Sequence, residues 1–354
     1  MTHLNAHDEF AGRQPISARA VRRWLTSLAT NAACACAPIL PVGFIRCAGR
    51  VIARAGPHVP KLGRLVRGNL IAAGIDRPDA VAAYFDQVGL HLACSAMVFK
   101  HQRRPERIME LAARHIVLDP STAIIGEALA AGRGVIVAAA HTCNFLLTLA
   151  RLNQQTPISV YLRWTADARR LRLKRIWCDA ARLPLIIEQP MATDPTSRAA
   201  ACVEALQRGA ALVMTPDIAQ KSDKGVPVEL FDRRMYLPSG PASIAMLAEA
   251  PLIPLFGRIV NGRQVLYAET PIEVRARSRV EGGRKAGLAA AMRQWAAGFE
   301  RFLRASPDAW FLWGDSRWTR VFQFTDERYV TRLEETDAAY RGAVPGSATR
   351  GMVR

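Results

Sequence analysis

Residues 135–140 of this chain are six consecutive apolar side chains, preceded by Gly132-Arg-Gly134 and followed directly by His141. A run of that length between turn residues reads as a strand buried on both faces. Such a strand needs helices above and below it, which restricts the chain to an α/β architecture. A helix is expected to open at Thr142 or Cys143 and to last to about Leu152. A histidine between the carboxyl end of a central strand and a helix N-terminus sits where open α/β sheets hold their ligands. Imidazole can serve there as a general base near neutral pH. It can equally be a hydrogen-bonded structural residue, and the surrounding sequence has to choose.

The neighbouring pattern alternates. Strands are expected at residues 115–118, 157–162, 185–187 and 211–214, with helices at 121–131, 167–182 and 195–208 between them. Gly132 and Gly209 close two of those helices, as glycines past a helix end commonly do. Alternation at these lengths gives a mixed, mostly parallel central sheet with flanking helices. His141, Arg163 and Asp217 then fall at strand carboxyl ends. Residues 264–268 should pair back on the strand before them across Asn261-Gly262. Pro254, in that earlier strand, is expected at its opening or on an edge, because proline cannot donate to a ladder.

Six pieces of the chain, in register over residues 38–322, resemble the lipid A secondary (lauroyl/myristoyl) acyltransferases of the lysophospholipid acyltransferase superfamily. His141-Thr-Cys-Asn144-Phe145-Leu146 resembles the family's His-x-x-Asn-Trp-Glu. Arg67-Gly-Asn69-Leu70 resembles its Arg-Arg-Asn-Leu element. Asp217, the loop after it and Gly225-Val-Pro-Val-Glu-Leu-Phe231 resemble its strand ending in Asp, followed by Gly-Val-x-Val-x-Phe-Phe. Pro238-Ser-Gly240-Pro-Ala242 resembles Pro-x-Gly-Pro-Ala. Ala250 to Phe256 resembles the proline-bearing last core strand of the superfamily. Pro307 to Trp318, with Trp310, Trp313 and Arg317, resembles the closing Pro-x-x-Trp-x-Trp-x-x-x-Arg-Trp.

The resemblance implies a glycerolipid acyltransferase-like α/β core and transfer of a fatty acyl chain from acyl carrier protein or coenzyme A. The acceptor would be a hydroxyl or amine of a lipid, a lipid A-like glycolipid or a specialised metabolite. It implies His141 as the base that deprotonates the acceptor, with Asn144, Arg163, Pro238 and Gly240 binding substrate. Gly240 would leave a backbone amide free at a helix N-terminus, where an oxyanion can bind. Trp164 and Trp177 could line an acyl groove or pack in the core. No cofactor and no metal are expected.

The chain departs from the family at one decisive position. The carboxylate five residues after the histidine is replaced by Leu146, and residues 142–150 contain no acid. In the related triad logic that acid fixes the imidazole tautomer and stabilises the imidazolium. Asp217 is the first candidate to stand in for it, and Glu188 the second. The other reading is a catalytically degenerate family member that binds acyl chains or acyl carrier protein without turnover. A third makes Cys143 an acyl acceptor, since a helix N-terminus can lower a thiol's pKa.

Charge bears on partners. Forty-eight lysines and arginines face 30 acidic residues, for a formal charge of +18, and only six of the cations are lysine. Arginine forks suit phosphates and carboxylates. No nucleic-acid-binding module is visible, so acidic donors and an anionic membrane surface are the expected partners. The seven cysteines fit no disulfide framework and read as reduced thiols.

Residues 1–15 are expected to be disordered, with no secretory signal pattern. Residues 16–113 form a helical, membrane-associating region, residues 114–324 the acyltransferase core, and residues 325–354 a helix and tail. Within the first region the apolar stretch 24–52 is broken by Pro38, Pro41 and Arg46, and Arg46, Arg50 and Arg54 recur at helical spacing. It is too interrupted to span a bilayer. It fits either a pair of core-facing helices or an amphipathic hairpin lying in the interface. The expected location is the cytoplasmic face of the bacterial inner membrane, peripheral or shallowly inserted.

Overall fold

A computed structural model describes residues 31–330, apart from 33, 163–167, 188–194, 223, 262, 276–282 and 325. Nine described strands form two sheets. The larger has seven strands in the order β1-β9-β8-β2-β5-β3-β4. They are β1 (Ile116–Leu118), β2 (Val135–Ala139), β3 (Ile158–Leu162), β4 (Leu185–Ile187), β5 (Ala211–Met214), β8 (Leu252–Val260) and β9 (Arg263–Ala268). All neighbours are parallel except the β8–β9 hairpin. The mixed, mostly parallel α/β sheet expected from the sequence is the fold of the chain.

β2 lies in the middle with β5 on one side and β8 on the other. Val135, Ile136, Val137 and Ala138 are all fully buried. Alternate side chains enter different cores. Ile136 and Ala138 join a cluster with Trp295, Phe299 and the closing tryptophans, while Val135, Val137 and Ala139 join one with Ile125, Leu149 and Val160. This is the physical content of an uninterrupted apolar run: both pleats of the strand face protein.

Pro254 lies inside β8 rather than at its opening or on an edge. Its carbonyl accepts from Glu269 N–H (3.0 Å), so its nitrogen faces the β9 side. On that side the β8–β9 ladder starts only at Leu255↔Ala268. Proline is tolerated because no ladder bond is missing there.

The β6–β7 hairpin (Gly225–Leu230, Arg233–Pro238) forms the second sheet and packs under the long helix Gly283–Ala305. The helices Val42–Ala55, Pro60–Ala72, Ala80–Lys100 and Pro105–His115 precede the sheet. Ala80–Lys100 is the one helix among the described residues long and apolar enough to cross a membrane. However, Tyr84, Phe85, Cys94, Met97 and Val98 are buried within the protein. Tyr84 donates to Phe311 O (3.0 Å), and Asn69 donates to Trp313 O (2.7 Å). Both bonds tie this helical region to the closing tryptophan segment.

Candidate active site

Strand register brings the expected base and the expected acid together. Ala138 of β2 is opposite Met214 of β5. Three residues further along each strand are His141 and Asp217, at the same level above the sheet. The contact is a hydrogen bond from His141 Nδ1–H to Asp217 Oδ1 at 2.7 Å. The His141 backbone N–H donates to the other oxygen, Oδ2, also at 2.7 Å. Asp217 therefore grips both the ring and the main chain of the histidine.

Two tryptophans hold Asp217 in turn. Trp310 Nε1–H donates to Oδ2 (3.0 Å), and Trp318 Nε1–H donates to the Asp217 carbonyl (3.2 Å). The carboxylate is 0% exposed, whereas the His141 side chain is 28% exposed. The acid is thus shielded while the imidazole keeps a solvent-facing edge. Because an ionised carboxylate can only accept, the imidazole proton lies on Nδ1 and leaves Nε2 for an incoming hydroxyl.

Burial alone would lower the pKa of His141. The Asp217 charge and hydrogen bond outweigh it, and the pKa is raised above the ordinary histidine value. Smaller contributions come from Arg317, which lowers it, and Asp315, which raises it. Those two form a bidentate pair (3.0 and 2.8 Å) on the same side of the site.

The loop after His141 is clamped from several sides. Cys143 N–H donates to Ala309 O (3.1 Å) and Phe311 N–H to His141 O (3.0 Å). Gly257 N–H donates to Thr142 Oγ1 (2.9 Å). Cys143 has a φ of 52°, a conformation uncommon for a residue with a side chain. The helix consequently opens at Phe145, later than the sequence suggests, with Asn144 as its N-cap. Asn144 Oδ1 accepts from Leu147 N–H (2.9 Å), a cap bond of the usual kind.

Asn144, expected among the substrate-binding residues, has its side chain engaged by the fold. It is fully buried, its Nδ2 donates to His91 O (3.0 Å), and its backbone N–H donates to Gln264 Oε1 (3.0 Å). Its amide is committed to the fold. Cys143 is buried as well, and burial pushes its thiol pKa far up. That is the opposite of the activation an acyl acceptor needs. Leu146 sits half-buried against the core cluster under β2. Phe145 stacks on the His141 ring, with centroids 5.3 Å apart, and meets Trp177 at 6.1 Å. Trp177 is buried. His91 donates from Nδ1 to Cys143 O (3.3 Å); burial, only partly opposed by that bond, lowers its pKa.

Pro238 ends β7, and Gly240 starts the helix Gly240–Leu247, whose N-cap Ser239 makes no side-chain cap bond. A Cβ at Gly240 would lie 3.6 Å from Met214 Cε, at the end of the strand that leads to Asp217. Arg163, Trp164 and Glu188 lie outside the described residues. Sequence reasoning quoted Trp310 and Trp318 only as motif residues. Their link to Asp217 is the part of the site it missed, and their fixed spacing within the closing motif was the available signal.

No protein of curated function matches this chain. The family model described as bacterial lipid A biosynthesis acyltransferase matches residues 13–320, most of its length. The histidine at the end of β2, the buried aspartate beside it and the tryptophans that hold that aspartate all fall within the matched span. The chain belongs to the bacterial lipid A biosynthesis acyltransferase family.

Proposed function

We propose that the protein transfers a fatty acyl chain from an acyl carrier protein or coenzyme A thioester to a hydroxyl or amine of a lipid, glycolipid or related acceptor. His141 is the general base, and Asp217 takes the part that a carboxylate at position 146 would have played. The observation that carries this reading is the 2.7 Å bond between His141 Nδ1 and a fully buried Asp217. In the reaction, Nε2 takes the acceptor proton as its oxygen attacks the thioester carbonyl. Asp217 steadies the imidazolium that forms. Collapse of the tetrahedral oxyanion expels the thiolate, which receives the proton from His141. The uncapped amides at Gly240, beside Pro238, are suited to that oxyanion. Arg163 remains assigned to a phosphate or the carbonyl oxygen. Asn144 positions the histidine loop, rather than touching substrate.

The same reading puts the active face at a membrane, with residues 16–113 as the lipid-facing region and 114–324 as the catalytic unit. Support comes from the helix Val42–Ala55, which carries three separate stripes. Ile45, Gly49 and Ala53 are buried against the protein, while Arg46, Arg50 and Arg54 form a second, exposed stripe. Phe44 (59% exposed) and Val51 (58%) form an apolar third, and nearby Ile39 is 81% exposed. An apolar stripe beside an arginine stripe suits the cytoplasmic leaflet of a bacterial inner membrane.

The test is an acyl-transfer assay with both donors. His141→Ala should lower turnover by roughly 10²-fold or more, the range for a lost general base. Unchanged turnover would sink the assignment.

A further inference from the structure

The turn after His141 is held from two sides. On one side, Gly257 N–H of β8 donates to Thr142 Oγ1 (2.9 Å). On the other stands His91, in the helix Ala80–Lys100. Its Nδ1–H donates to Cys143 O (3.3 Å), and its backbone carbonyl accepts from Asn144 Nδ2 (3.0 Å). The proton must be on Nδ1, since a carbonyl can only accept. His91 thus binds two consecutive residues of the turn, one through its side chain and one through its main chain. Its ring also lies against Phe311, with centroids 4.7 Å apart. Phe311 N–H in turn donates to His141 O (3.0 Å). Tyr84, seven residues earlier and so on the same helix face, donates to Phe311 O (3.0 Å).

What these contacts hold is strained. Cys143 has a φ of 52°, and a residue with a side chain keeps that conformation only where its surroundings over-determine it. It lies two positions after His141 and one before Asn144, the N-cap of the helix Phe145–Gln155. A turn free to relax would carry the imidazole off Asp217 Oδ1. Burial lowers the His91 pKa, whereas Asp217 raises that of His141. His91 therefore stays a neutral donor over the range in which His141 titrates. We infer that His91 is a positioning residue: its Nδ1–H holds the Cys143–Asn144 turn in its strained form, and the turn keeps the His141 ring on Asp217 with Nε2 free for the acceptor. The inference rests on His141 being the general base. It gives the helix Ala80–Lys100 a part in the reaction, although the helix lies outside the catalytic sheet.

Three variants of the full-length protein test it. His91→Phe keeps a ring against Phe311 and removes the donor. His91→Asn sets an amide N–H where Nδ1 was, and His91→Gln sets it one bond further out. Two readouts are taken on folded protein: the kinetics of acyl transfer, and the low-field proton resonance of His141 Nδ1–H in its bond to Asp217. His91→Phe and His91→Gln should lower kcat roughly tenfold or more, the scale of a small misplacement of a catalytic group, with KM little changed. Both should broaden or shift the resonance. His91→Asn should recover most of kcat and the parent's resonance. If His91→Phe does not fold, the comparison of Asn with Gln carries the test. A parent without turnover is a failure of the proposed function, and the resonance then decides the inference by itself. An unchanged resonance in folded His91→Phe or His91→Gln overturns it, and so does a resonance that His91→Asn fails to restore. A merely structural role would lower the melting temperature and leave both readouts in place.

Discussion

His141 donates through Nδ1 to Asp217 Oδ1 at 2.7 Å, although 76 residues separate them and no acid is available on the helix Phe145–Gln155 that follows the histidine. The acid that meets the ring comes from the end of the adjacent strand β5 and not from the histidine's own motif. The bond has a measurable consequence. Asp217 raises the His141 pKa against the lowering effect of burial. A general base works when neutral, so kcat/KM should fall as pH drops through an apparent pKa above about 6.5, the unperturbed histidine value. In Asp217→Asn, burial acts without the opposing charge, and that acid limb should move to lower pH. A pH–rate profile of the residual activity checks both statements. An acid limb that stays in place would contradict them.

Trp310→Phe removes one N–H from Asp217 Oδ2 and keeps an aromatic ring in the core. Loss of a bond to a buried charge should cost about 1.5–3 kcal/mol of stability. Denaturant unfolding measures it. Activity should drop with stability, since the carboxylate loses part of its anchor.

Leu146→Glu restores the residue the family pattern would have. It should not raise activity, because Nδ1 of His141 is already engaged. Leu146 packs against the second core cluster, so the variant should be less stable by about 1–3 kcal/mol, the cost of placing a poorly paired polar group there. The measurement is a paired assay and melt. A gain in turnover would show that Asp217 is not the working partner.

Thiol reactivity separates acyl transfer to a hydroxyl from acylation of the protein. Cys36 and Cys47 are exposed, whereas Cys143 is buried with its pKa raised. Iodoacetamide should label the first two in the native protein and spare Cys143. The same pattern is expected with an acyl thioester, read by mass spectrometry. An acyl adduct on Cys143 would contradict the account.

Phe44→Asp with Val51→Asp changes the exposed apolar stripe of the helix Val42–Ala55 without touching its buried one. The doubly substituted protein should shift from the membrane to the soluble fraction. High salt alone should release the parent only in part, since screening removes the arginine attraction but not the apolar insertion.

Much of this was legible in the sequence, for identifiable reasons. The run at 135–140 announced a strand buried on both faces, and β2 is one because its two pleats enter two different cores. Asp217 could be named because it follows a short apolar run expected to be a buried strand and matches the Asp that the resemblance places there; the structure then sets it three residues past Met214, as His141 lies three past Ala138. The register that makes those counts meaningful is a tertiary fact. So are the bonds from Trp310 and Trp318, which cross more than a quarter of the chain. The capping role of Asn144 was not legible, because the resemblance gave that position only as a substrate-binding residue. The backbone instead turns at Cys143 and needs a cap one residue later. Pro254 was misplaced because local rules do not reveal which side of a strand lacks a ladder partner.

The most direct test is acyl transfer by Asp217→Asn with both thioester donors, alongside the parent. The amide keeps the shape of the carboxylate and can still accept from Trp310, but it cannot stabilise an imidazolium. In the related triad logic such a change costs up to about 10⁴-fold in rate. The account predicts an active parent and a folded Asp217→Asn protein whose turnover is lower by 10²-fold or more. A folded variant that turns over at the parent's rate would contradict it.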